Sequence, residues 1–143
     1  PAPVKAKTWR AYLSTTTIAA RTRIGAGPWY NLSGALVAQD LTALHANGIS
    51  YELMLTETGT LVPSNEHDIL TGSNADGGLG DPVATCADWT TNDSSAYAWV
   101  GHVDWNSPST AGNPSWNASH YPSCDPAGLA ATAGSGRTYC FAE

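Results

Sequence analysis

The sequence predicts an α+β domain in which irregular structure outweighs regular elements, and three observations predict it. Strand-like runs are short and scattered between Trp9 and Phe141. Helical spacing is confined to one or two brief segments. The stretches between them are long and rich in Gly, Pro, Ser and Asn, the residues that favour turns and loops.

Taken in order, Thr8 to Ser14 (Thr-Trp-Arg-Ala-Tyr-Leu-Ser) alternates as a strand, with Trp9, Ala11 and Leu13 on one face and Arg10 and Tyr12 on the other; Trp9 is expected in the core. Ile18 to Ile24 allows a short helical turn, which Gly25-Ala26-Gly27-Pro28 breaks. Trp29-Tyr30-Asn31 and Ala35 to Ala38 read as two short strands around a turn containing Gly34. Beyond Asp40, Leu41 and Leu44 lie three apart, a short amphipathic helix over Gln39 to His45. Asn47-Gly48 closes it, and His45 at its end complements the helix dipole. Tyr51 to Thr56 and Thr60 to Val62 are weaker strand candidates around the turn at Glu57 to Gly59. His67 to Gly72 reads as a short core strand leading into the glycine-rich loop 73–82, expected to be exposed. Tyr97 to Val103 alternates around Trp99 as a central strand, and an excursion rich in Ser, Pro, Gly and Asn follows from Asn106 to Pro114. A last strand, Arg137 to Phe141, ties the C-terminus into a sheet. With no internal repeat or linker, residues 1–143 read as a single domain.

Composition narrows the class. Charged residues are 13% of the chain, about half the usual share, and 16 Thr and 13 Ser supply a polar, uncharged surface suited to a secreted protein. The net charge is −6 and the six Lys and Arg are dispersed, which argues against nucleic-acid partners because these require clustered cations. No apolar run approaches the ~20 residues needed to span a bilayer. The chain opens on Pro1 without a methionine, which reads as a processed or partial polypeptide.

Several residues are candidates for chemistry. Three cysteines, Cys86, Cys124 and Cys140, in an exported chain predict one bridge and one leftover thiol. Among the histidines, the nearest constellation is His102-Val103-Asp104 with His120, where a zinc ion competes with plain hydrogen bonding at a Trp-rich sheet edge. Calcium, as a cofactor, would want the oxygen-rich loop with Asn74, Asp76 and Asp81, or the turn Asn65 to Asp68; solvated acidic turns are the default reading. With a single Phe in the chain, tryptophan must fill the core, and Trp9, Trp89 and Trp99 are assigned there. Trp105 and Trp116, with Asn106, Asn117 and His120 nearby, are the candidates for an exposed platform that stacks on a sugar. Sequons place glycosylation candidates at Asn31, Asn92 and Asn117.

Thr8 to Ser14, Ala20-Arg-Thr-Arg23, Trp29 to Leu32 with Leu36-Val-Ala38, Ile69 to Ser73, Thr85-Cys-Ala-Asp-Trp-Thr90, Ser123-Cys124 and Tyr139-Cys-Phe141 form an ordered series. Together they resemble the endostatin-like branch of the C-type-lectin-like fold, including secreted bacterial lectin-like proteins. The resemblance implies small twisted antiparallel sheets, short helices and long loops. It also implies nested disulfides: an inner pair matching Cys86 and Cys124, and an outer bond whose second half matches Cys140. The strand and helix that usually open the family, with their cysteine, have no counterpart upstream of Thr8. Cys140 is therefore expected either as a free, buried thiol or bonded to another polypeptide segment. The Glu-Pro-Asn or Gln-Pro-Asp triplet of calcium-dependent lectins is also missing, so no hexose site is carried over.

These readings lead to a non-catalytic extracellular or cell-surface recognition or adhesion domain that binds a glycan or protein ligand through its long loops. The alternative is a structural subunit of an extracellular filament or surface layer, a homo-oligomer completed by a neighbouring segment. A hydrolase ranks third, with Glu57, Glu66 and His102 as its only acids or bases.

Overall fold

The computed structural model describes residues 7–104 and 115–143. In chain order the elements are β1 (Trp9–Ala11), a 3-10 turn at Ala20–Thr22, β2 (Trp29–Tyr30), β3 (Leu36–Ala38), α1 (Leu41–Asn47), 3-10 turns at Tyr51–Leu53 and Ser64–Glu66, β4 (Asp68–Leu70), the helical turn α2 (Cys86–Trp89), β5 (Val100–His102), α3 (Pro126–Ala131), β6 (Gly134–Thr138) and β7 (Cys140–Ala142). They form a mixed α+β arrangement of three small sheets. β4 is the middle strand of β5-β4-β6, antiparallel to β5 and parallel to β6. β1 pairs with β7 and β2 with β3, both antiparallel. β5, the strand within the 97–103 segment, ends the sheet order but is bonded along its other side through the bridge from Val100 to His120, and the shorter His67 to Gly72 run supplies the middle strand.

Local chemistry explains the elements that the sequence revealed. Asn31 Oδ1 accepts from the Ser33 and Ala35 amides at 3.1 and 3.0 Å, shaping the turn between β2 and β3. Asp40 Oδ1 accepts from the Ala43 amide at 2.8 Å and caps α1, which ends at Gly48. α3 went unread although Asp125-Pro126 signals it: Asp125 is the N-cap and Pro126 occupies the first turn, where its missing N–H costs nothing.

The main core joins Tyr12, Ile24, Trp29, Leu44, Ile69, Val103, Trp116 and Phe141. A smaller cluster surrounds Cys86, Ala98 and Cys124, with Leu70 and Trp89 against it. β1 does not keep the alternation: Trp9, 45% exposed, and Arg10 both face solvent and Ala11 is half-buried, while Tyr12, just past its end, is fully buried. Both faces carry an aromatic, so the pattern alone could not choose. Tyr12 goes inward because its hydroxyl finds His45 Nε2 at 2.8 Å and Asn117 Nδ2 at 3.0 Å.

Other expectations change for equally local reasons. Tyr51 to Val62 forms a 3-10 turn and a single bridge, Leu55 to Leu61, instead of two strands. The terminal strand divides: β6 joins β4, and β7 crosses to β1. The glycine-rich loop is exposed at Asn74, Asp76, Asp81 and Pro82, as expected, but packs inward at Ser73 and Gly77. Gly77 is buried at φ +82°, where a Cβ would collide with His45 and stand 2.7 Å from Tyr12 Oη. Gly101 has a similar role in β5, since a side chain there would overlap the Trp116 carbonyl oxygen.

α2 is left-handed. Cys86, Ala87, Asp88 and Trp89 have φ of 49°, 52°, 56° and 67°, a conformation that costs L-residues roughly 1–2 kcal/mol each. Tertiary contacts hold it. Asp88 accepts from the Thr16 amide at 2.7 Å and the Thr16 hydroxyl at 2.6 Å, and Trp89 Nε1 donates to the Ser14 carbonyl at 2.8 Å. Ala87 is exposed, so Ala87→Gly removes no packing and should raise stability by about 1 kcal/mol. In a right-handed helix the same change would lower it by a similar amount, so the sign of the shift in urea midpoint checks the handedness.

Candidate functional site

The most concentrated chemistry lies where β4 and β5 pair. Asp68 sits directly opposite His102 in the antiparallel register, and His120 is brought alongside by a bridge to Val100. His102 Nε2 is 2.9 Å from Asp68 Oδ1, His120 Nε2 is 3.3 Å from Oδ2, and His67 Nε2 is 3.6 Å from Oδ1. The Nε2 atoms of His102 and His120 are 3.0 Å apart, and Ser119 Oγ lies 3.2 Å from His102 Nε2. His67 Nδ1 lies 3.3 Å from Asp104 Oδ2. Burial pushes the Asp68 carboxyl up, but the His102 and His120 imidazoles, Thr132 and the positive potential at His120 outweigh it and hold the group well below the usual carboxylate range.

The sequence had grouped His102, Asp104 and His120. Asp104 in fact serves His67, and the carboxylate at the centre is Asp68. Its signal was visible as the adjacent pair His67-Asp68 at the head of a core strand, but the pairing with His102 exists only through the sheet register.

The proposed sugar platform does not survive as drawn. Trp116 is 1% exposed, packed at a tilt with ring centroids 4.9 Å from Tyr12 and 5.3 Å from Tyr139, and presents no face to a ligand. Asn117 is buried as well: its Nδ2 donates to Tyr12 Oη, the Asn74 carbonyl and the Ala75 carbonyl, making it the clamp of the glycine-rich loop. An amide so committed is also closed to glycosylation in the folded protein. Asn92 is exposed, and Asn31 is half-buried in its own turn. Trp105 and Asn106 lie outside the described residues. His120 belongs to the Asp68 cluster. His45 gives no dipole charge, because burial lowers its pKa and its ring bridges Leu41 O at 2.7 Å and Tyr12 Oη.

Of the calcium candidates, the Asn74 and Asp76 side chains converge on Gly78, whose amide donates to Asp76 Oδ1 at 2.8 Å. Asp81 Oδ1 accepts from the Val83 amide at 3.0 Å in a separate turn. Glu66 is held by Arg137 at 2.5 and 2.8 Å and by Ser135, which keep its carboxyl low. Cys86 and Cys124 are bonded to each other. Cys140 is a free thiol and exposed, not buried; local desolvation, with a smaller contribution from Glu57, raises its pKa.

An aromatic surface that the sequence did not identify lies beside the disulfide. Tyr97 and Trp99 alternate along one extended segment, which bonds on one side to Ala84 and Cys86 and on the other to Pro122. Tyr121 stacks on Trp99 at 5.1 Å and meets Tyr97 edge-on at 5.9 Å. Tyr97 is 45% and Tyr121 56% exposed. The Cys86–Cys124 bond joins the two flanking segments and so braces the rings from below. Among the described residues no helix is long and apolar enough to cross a membrane, and the disulfide points to an oxidising compartment. Compared with known protein families and with curated proteins, the chain matches none.

Proposed function

We propose that this chain is a non-catalytic, extracellular recognition domain, and that Tyr97, Trp99 and Tyr121 form its ligand-facing surface. The observation that carries this reading is the aromatic group itself, three rings beside a disulfide, of which Tyr97 and Tyr121 are exposed and Trp99 is half-buried. Rigid aromatics give contact area at little entropic cost, and their faces suit the apolar C–H face of a pyranose. The resemblance to endostatin-like and lectin-like secreted proteins supports the same class.

A glycan array, run beside pull-downs on extracellular matrix proteins, tests it. Binding should appear on one of them, and Tyr121→Ala should weaken it by about tenfold, or about 1.4 kcal/mol, with little change in melting because the ring is mostly exposed. Silence in both assays overturns the reading.

The alternative, a structural subunit completed by a neighbour, draws on one observation. β1 and β7 form a sheet of only two strands, with Trp9 exposed on β1 and the free Cys140 exposed on β7. Strand addition there would cover apolar surface. Light scattering that finds a strict monomer at all concentrations would exclude this version.

A further inference from the structure

The Asp68 carboxyl group has no exposed surface, and its ion-pair partners among the described residues are imidazoles, with no Lys or Arg. A buried carboxylate is costly unless it is paired and hydrogen-bonded. Neither carboxylate oxygen accepts a hydrogen bond of good geometry, although nitrogens stand 2.9 and 3.3 Å away. Nitrogens brought this close to a buried carboxylate without hydrogen-bond direction suit a shared metal ion.

The distances agree with that reading. Tetrahedral zinc, with bonds of about 2.0–2.1 Å, spaces its ligand atoms about 3.3–3.4 Å apart. The separations here are 2.9, 3.0, 3.3 and 3.6 Å. One ligand atom each from His67, Asp68 and His102 lies within 4.8 Å of the other two. The outer contacts fit as well: Asp104 faces His67 Nδ1, which leaves His67 Nε2 directed at the cluster, and a carboxylate behind a metal-bound imidazole is a common device for orienting it.

We propose that His67, Asp68 and His102 bind a divalent transition-metal ion of the zinc class, with His120, 3.0 Å from His102 Nε2 and 3.3 Å from Asp68 Oδ2, turning in as the fourth ligand. Three imidazoles and one carboxylate select such an ion over calcium or magnesium, which prefer all-oxygen ligands. Four protein ligands leave no open position, so the ion's role is structural. It ties β4 to β5 and both to the segment that carries His120, and it neutralises Asp68. Because the ligands come from three separate parts of the chain, the folded state binds the ion and the unfolded chain does not bind it comparably; the ion then stabilises the fold by mass action.

The test uses the whole protein, stripped of metal with a chelator and dialysed. Calorimetric titration with Zn2+ should show one equivalent bound, and Zn2+ but not Ca2+ should raise the melting temperature. Loading with Co2+ should produce the intense visible absorption of a tetrahedral site. His120 is the most exposed of the ligands, with 38% of its side-chain surface accessible, so His120→Ala should fold normally and weaken Zn2+ binding by at least about tenfold. Asp104→Asn, which alters only the support of His67, should cost about 10–100-fold. No stoichiometric uptake at micromolar Zn2+, a weak octahedral Co2+ spectrum, or uptake indifferent to His120→Ala would each overturn the site. The Co2+ spectrum decides without any variant, so a misfolded mutant does not blunt the test.

Discussion

Trp116→Ala should lower stability by about 3–5 kcal/mol, at the high end for a single substitution. The indole is 1% exposed and packs between Tyr12, Tyr139 and His45, with ring centroids at 4.9, 5.3 and 5.9 Å. The cost of a core deletion depends on whether neighbours can collapse into the space, and here they are pinned. Tyr12 Oη is held by both His45 and Asn117, and Tyr139 Oη donates to the Trp116 carbonyl at 2.8 Å. The cavity should therefore persist. Equilibrium urea unfolding measures the loss, and Trp9→Ala, at a tryptophan 45% exposed, should cost much less. A Trp116 loss below about 1 kcal/mol would mean the indole is not a core residue.

Removal of the Cys86–Cys124 bond should cost about 4 kcal/mol. The two cysteines are 38 positions apart, and on the chain-entropy account, opening a loop of that length frees the unfolded chain by about this amount. The consequences should be uneven. The second core cluster is built on the two half-cystines, with Ala98 between them and Leu70 and Trp89 alongside, and the left-handed turn begins at Cys86. Loss of the bond should loosen that turn and the aromatic surface before the main core. The comparison belongs in a Cys140→Ser background, because the exposed thiol of Cys140 could exchange with the bridge. Matching denaturation midpoints for the bridged and Cys86→Ser/Cys124→Ser proteins would show that the bond contributes nothing to stability.

Much of the local structure was legible in the residues. The turn at Asn31, the cap at Asp40 and the stop at Gly48 are short-range chemistry, with donor and acceptor a few positions apart, so spacing along the chain is enough to find them. The split of the terminal strand and the bridged turn at Tyr51 to Val62 were not legible, because a strand three residues long is defined by its partner more than by its own pattern.

The site shows the same division. Residue types marked histidine and carboxylate as candidates, yet Asp68, read at once as the end of an acidic turn and the head of a core strand, was not linked to His102, and Asp104 was given its place there. Three cysteines and an ordered family-like series anticipated the Cys86–Cys124 bond, and composition anticipated a polar, weakly charged surface over a tryptophan-bearing core. Tertiary structure alone decided which aromatic faces inward. By pattern Trp9 and Trp99 belong in the core and Trp116 at the surface; instead Tyr12 and Trp116 are buried, Trp9 is exposed and Trp99 is half-buried. The choice fell to whichever polar groups could be satisfied once buried: Tyr12 had His45 and Asn117 to receive its hydroxyl, from 33 and 105 positions away. Burial of a polar aromatic is set by partners distant in sequence, and no window along the chain contains them.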